Sequence, residues 1–187
     1  MDKRARFATA LALLASMGPP LGGCGQTEEP AQTVSIGAVL DRTGSLAAAS
    51  WVDSANLAVA DANSALELSG RSLRFKLQVS DSTNTPKVAS QLALELVQQK
   101  GVLGIVTDSS QDDIALNTLA YDADPSNDLN VPIVCMACTS PAINNPNSVN
   151  AADAVNQAAL RNEKHWNFRA LMDAMPQAKV FVGIAQG

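Results

Sequence analysis

An open parallel α/β sheet with helices on both faces is the fold this sequence predicts, and three observations carry that expectation. Apolar runs of strand length alternate four times with segments of helical period at short spacing, which is the pattern of a parallel sheet built from crossover units. The chain of 187 residues is 47% hydrophobic but only 17% charged, so it can bury a real core and does not read as disordered. Helix-start signals follow three of the apolar runs.

The elements can be justified in order. Val34-Ser35-Ile36-Gly37-Ala38-Val39-Leu40 reads as a buried strand, stopped by the turn Asp41-Arg42-Thr43-Gly44. Val52, Ala55, Val59 and Ala62 mark one face of a first helix. Leu73, Phe75, Leu77 and Val79 alternate with polar residues along a second strand. Thr85-Pro86 is a cap followed by proline at the first helical position, and Val88, Leu92 and Leu96 line the helix that ends near Gly101. Val102–Val106 is a third strand, Ile114–Ala123 a third helix, and Val131–Met136 a fourth strand.

The N-terminal segment is set apart from this pattern. Lys3, Arg4 and Arg6 precede an apolar stretch from Phe7 to Met17, as in a secretory signal. Leu21-Gly22-Gly23-Cys24 then resembles a bacterial lipobox, which would make Cys24 the lipidated N-terminus of an exported protein. Residues 1–23 are read as the signal peptide and 24–32 as a polar tether. Without residues 1–23 the chain keeps ten basic and seventeen acidic residues, a net charge of −7. The basic residues are scattered, so no nucleic-acid partner is expected. The expected location is an outer membrane or periplasm, or the outer face of a single-membrane cell.

Catalytic chemistry finds little support. No G-x-G-x-x-G or P-loop follows the first strand, and no G-x-S-x-G elbow occurs, so no cofactor and no catalytic residues are assigned. The single histidine, His165, sits in an Asn-rich polar stretch and reads as a surface residue. Cys135 and Cys138 form a C-x-x-C pair, but with one histidine in the chain no metal site is expected. The pair reads either as a structural disulfide, which requires a sharp turn after Cys135, or as two buried thiols.

Ser50-Trp51-Val52-Asp53 and Ser110-Gln111-Asp112-Asp113 have the form of capping boxes, and Thr139-Ser140-Pro141 places a hydroxyl cap before a short helical turn. All three starts fall at the carboxyl ends of strands, where an open α/β sheet binds ligands. Free amides and hydroxyls there favour an anionic group such as a carboxylate. Asp112 and Asp113 suit a helix start through the macrodipole. Trp51 is placed either on the rim of this cleft or in the core.

Several segments resemble periplasmic binding proteins of the branched-chain amino-acid type. These are Ile36–Ala47, Gly70-Arg71-Ser72-Leu73 with Asp81, Gly104-Ile105 before Ser109-Ser110, Val131-Pro132-Ile133 before Cys138-Thr139-Ser140-Pro141, and Asn167-Phe168-Arg169. They keep their order over most of residues 33–177. The resemblance implies a type I periplasmic-binding-protein-like lobe that serves an ABC permease or a ligand sensor and binds an amino acid or related small carboxylate. By position, Ser109 or Ser110 and Thr139 match hydroxyls that hold the ligand's carboxylate and ammonium groups, and Ala137 and Cys138 match backbone positions lining the same pocket. The sequence departs from the family in Ala49-Ser50-Trp51, which replaces an aromatic-glycine segment, and in the long Asn-rich stretch 143–165. The family has two lobes. Residues 33–172 are therefore read as an incomplete N-terminal lobe, and 173–187 as the start of a crossover to a second one, with Ala174, Ala178 and Phe181 on one helix face. A membrane-tethered sensory or protein-interaction module is the alternative expectation.

Overall fold

The computed structural model describes residues 31–121, 124, 126–144 and 164–171, together with Gln177, Lys179, Val182 and Ile184 near the C-terminus. The signal segment, Cys24, and the expected helix-face residues Ala174, Ala178 and Phe181 lie outside the described residues. Gln177, Lys179, Val182 and Ile184 have helical backbone.

Five strands form one sheet: β1 (Gln32–Leu40), β2 (Leu73–Asp81), β3 (Ile105–Thr107), β4 (Ile133–Cys135) and β5 (Asn167–Arg169). Their spatial order is β2-β1-β3-β4-β5, and every pairing is parallel. Three helices, α1 (Ala49–Leu68), α2 (Pro86–Gln98) and α3 (Ser110–Leu119), and a 3₁₀ turn at Pro141–Asn144 fill the connections. β1 already begins at the last residue assigned to the tether.

The chain steps from β1 to β2 in one direction and from β2 over to β3 and β4 in the other. Right-handed crossovers then put α1 on one face of the sheet and α2 with α3 on the opposite face. The packing agrees, since α1 lies on β1 and β2 while α2 and α3 pack against each other. The main core forms on the α2/α3 face, where Val39, Ile105 and Ile133 meet Ala89, Ala93, Leu96 and Leu116. The α2 stripe is therefore Ala89, Ala93 and Leu96, with Val88 and Leu92 only half-buried, because small side chains let the helix approach β1 closely. Gly37 serves the same approach. A Cβ there would lie 2.8 Å from Ile105 Cδ1 and 3.1 Å from Leu96 Cδ1.

Strand pairing extends beyond the regular ladder. Leu103 N–H donates to Ser35 O and Gly37 N–H to Gly104 O, so the expected third strand runs beside β1 from residue 103, although only Ile105–Thr107 completes the ladder. At the outer edge, Asn63 of α1 closes a two-point clamp on β2. Its Oδ1 accepts from Phe75 N at 2.7 Å, and its Nδ2 donates to Phe75 O at 2.9 Å. The other face behaves differently on the β5 side. Ala38, Val106, Val134 and Phe168 share one row of the register and point away from α2 and α3. Ala38 is buried, whereas Val134 and Phe168 remain 37% and 51% exposed.

Candidate functional site

Strand order reverses at β1, which puts the expected ligand crevice at the carboxyl ends of β1 and β3, bordered by the loops that lead into α1 and α3. Asp41 organises the first loop. Its Oδ1 accepts from Gly44 N at 2.5 Å and its Oδ2 from Leu46 N at 2.6 Å. Its own N–H donates to Asp108 Oδ2 at 2.8 Å, which ties the β1 loop to the β3 loop across the crevice. Asp81, at the end of β2, gathers the neighbouring loop by accepting from Arg42 N, Thr43 Oγ1 and Thr83 N. Gly44 is pressed against the Thr83 carbonyl, where a Cβ would overlap backbone. Asn84 Nδ2 adds a bond to Ser45 Oγ at 2.8 Å.

The capping residues differ by small shifts from the sequence expectation. α1 starts at Ala49 with Ala48 at the N-cap and no side-chain cap, so Ser50 lies inside the helix and its box is not formed. The reason is local: a Gly44–Ala47 turn and the Trp51 indole N–H on Leu46 O bring the chain into helical geometry early. For α3 the cap is Ser109, whose Oγ accepts from Asp112 N at 3.2 Å. That frees Ser110 Oγ, which accepts from Ser140 N at 3.3 Å and joins the β3 and β4 loops. Thr85 is the N-cap of α2 before Pro86, but its hydroxyl bonds Thr83 instead of capping. Ser140 caps the 3₁₀ turn through Ala142 N.

The remaining expected site residues group around this joint. Ala137 and Thr139 are half-buried on the β4 loop, next to the Ser110–Ser140 bond. Cys138 is buried and bonded to Cys135, with 5.6 Å between their Cα atoms, so of the two readings left open the disulfide is the one adopted. The chain bends at Met136 and Ala137 to permit it. Ser109 is also buried, its hydroxyl committed to the helix cap. Trp51 belongs to the α1 side of the crevice and is held by Leu46, apart from the Ser110–Thr139 group. His165 is exposed, as expected.

Sequence reasoning did not find the acidic layer beneath the crevice. Asp41, Asp108, Asp112 and Asp113 are all buried, and the macrodipole alone gives no reason for that burial. Burial pushes the Asp108 carboxyl above its usual range against the Asp41 N–H bond that lowers it, with the Asp112 and Asp41 carboxylates adding to the rise. Burial also raises Asp112, partly offset by the nearby Ser82 and Ser109 hydroxyls. Those hydroxyls lie near the Asp112 carboxyl without meeting hydrogen-bond geometry to either of its oxygens. Asp113 is pushed up to about 6 by burial, against the Asn167 amide and the Arg169 charge. The available signal was position: Asp41 and Asp108 each directly follow the last residue of a strand. Asp113 and the sulfurs of Cys135 and Cys138 present ligand atoms within 4.8 Å of one another, but the joined sulfurs offer no thiolate.

Comparison with known proteins places this geometry in a family. A sequence model of the periplasmic binding protein family matches residues 33–164, and the chain belongs to that family. No curated protein sequence matches it. Among solved structures it is similar to the branched-chain amino acid transporter substrate-binding protein LivJ from Streptococcus pneumoniae in complex with isoleucine. The identity is 17% and the TM-score 0.53, over 76% of this chain and 34% of that one. A protein described as a branched-chain amino acid ABC transporter from Rhodospirillum rubrum gives 20% identity and a TM-score of 0.56, over 81% and 38% of the two chains. An ABC transporter substrate-binding protein from Desulfitobacterium hafniense gives 12% and 0.53, over 76% and 35%. The likeness shows a shared fold, and the chain spans about a third of the length of these structures.

Proposed function

We propose that this chain is the N-terminal ligand-binding lobe of an extracytoplasmic solute-binding protein that delivers an amino acid or related small carboxylate to an ABC permease, without catalysis. Family membership supports the reading, and the observation that carries it is the Ser110–Ser140 bond. That bond supports the reading because it joins the loops that carry Ser110 and Ala137–Thr139, whose hydroxyls and amides would receive a carboxylate and an ammonium. A solute gripped from one side stays largely hydrated, so the affinity of this lobe alone is expected to be roughly millimolar, and a second lobe closing over the ligand would tighten it. Titrating the isotope-labelled chain with a panel of amino acids should move the amide resonances of residues 109–110 and 137–140. A panel that moves none of them sinks the reading.

Cys24 is proposed as the lipidated N-terminus, with the following residues as a short tether to the membrane surface. A second reading, a tethered interaction module, is favoured by one observation: the exposed Val134–Phe168 pair on the sheet face away from α2 and α3. A monomer in light scattering across the micromolar range counts against that alternative.

A further inference from the structure

The proposed ligand reading uses the Cys138 backbone but neither the Cys135–Cys138 bond nor the Asp113 side chain, yet the sulfurs and the carboxyl are packed into one buried group. The two sulfurs and an Asp113 carboxylate oxygen lie within 4.8 Å of one another, and all three residues are buried. Asp113 is held from β5 by Asn167, whose Nδ2 donates to Oδ2 at 2.9 Å. The other oxygen, Oδ1, has no hydrogen-bond partner. A buried carboxylate oxygen without a donor is costly, and a disulfide has no hydrogen to give it. A thiol does.

We propose that Cys135–Cys138 is a thiol–disulfide exchange site in which Asp113 is the proton-linked partner, its orphaned Oδ1 taking a hydrogen bond from a cysteine S–H only in the reduced state. The co-reactant class is a dithiol. One thiolate of the dithiol attacks a protein sulfur, the S–S bond breaks, and the displaced cysteine takes up a proton. The second thiol then attacks the mixed disulfide and releases the other cysteine. The protein gains two electrons and two protons, and the dithiol, which supplies both, is oxidised to its cyclic disulfide. Both cysteines are buried, so exchange passes through opening of the bend at Met136 and Ala137 and is slow. The equilibrium is therefore the quantity to measure.

The electrostatic setting is simple. Facing Asp113 are the two cysteines from β4 and its following bend, and Arg169 and the neutral Asn167 from β5. Among the described residues, the 3₁₀ turn carries no ionisable side chain, and Arg169 is the charge that bears on Asp113. Burial holds the Asp113 carboxyl high while the disulfide is intact, and a thiol donor on reduction favours the ionised form.

The test uses the full chain carrying Cys24→Ser, which leaves one thiol pair, equilibrated with dithiothreitol and its oxidised form from both directions. Because the reagent carries both protons, the exchange constant is independent of pH between about 4.5 and 7 unless a protein group changes its protonation. The expected result is a rise of about tenfold across that range, levelling at the top, since a hydrogen bond to a carboxylate shifts its ionisation by roughly one unit. With Asp113→Asn added, the constant should be flat within about twofold. A flat profile with Asp113 present, or an equal rise in the Asn variant, overturns the proposal. If the Asn variant does not fold, ¹³C titration of the Asp113 carboxyl in oxidised and reduced protein decides. A lower midpoint in the reduced form supports the link, and an unchanged or higher one refutes it.

Discussion

Ser109 and Ser110 are adjacent residues of one chemical type with unlike partners, and the difference is measurable. Ser109 Oγ caps α3, while Ser110 Oγ holds the Ser140 amide on the next loop. Ser109→Ala should cost about 1 kcal/mol in urea unfolding, the usual worth of an N-cap. Ser110→Ala leaves the cap in place, so it should cost less while broadening the amide resonances of Thr139 and Ser140. A second prediction follows from the buried acids. Asp113 titrates at about 6 in the folded protein against 3.8 when exposed, so within that window the native state holds a proton that the unfolded chain has released. Stability then falls as pH rises through the window and levels off above it, with a slope approaching about 1.4 kcal/mol per pH unit for one proton. Asp108 and Asp112, also raised, steepen the same fall. Urea midpoints from about pH 4 to 7 should show it, and Asp113→Asn should remove part of the slope. A stability that climbs over this range would refute the assignment.

At the scale of elements, the Asn63 clamp on Phe75 makes a side-chain amide stand in for a missing neighbour strand. Asn63→Ala should cost about 1–2 kcal/mol through two lost bonds to partly buried backbone groups, and it should raise light scattering on standing, because an edge amide and carbonyl become free to pair with another chain. Unchanged unfolding and scattering would show the clamp to be idle. No sequence pattern pointed to Asn63, since its partner lies on a different element 12 residues away. The strands were legible because buried parallel strands are continuous apolar runs, and Asn167–Arg169 was found through family resemblance although three residues carry no periodicity. Caps were legible to within a residue or two. Whether Ser109 or Ser110 caps α3 is settled by where β3 ends, and that is a tertiary matter. The acidic layer was legible only as aspartates at strand ends, because an aspartate's burial depends on what the loops fold over it. The disulfide stayed undecided because spacing alone could not tell that the chain bends after Cys135.

At the scale of the whole molecule, the lobe is expected to hang from a membrane by Cys24 and a tether of fewer than ten residues. More than one acyl chain, at about 0.8 kcal/mol per buried CH₂, makes such an anchor stable. Gly25 follows the cysteine where lipoproteins kept at an inner membrane often carry Asp, so the outer membrane, or the outer face of a single-membrane cell, is the expected destination. Cys24→Ser should permit export but release the protein from the membrane fraction. Persistence there after a high-salt wash would refute the lipid anchor.

The clamp at Phe75 and the row ending at Phe168 together give the sheet a direction of growth. At β2, Asn63 occupies the outward N–H and C=O of Phe75, while β5 ends the described sheet at its opposite side with the exposed Phe168 on it. Of the two sides of the described sheet, the β5 side is therefore the one with less in the way of an added strand.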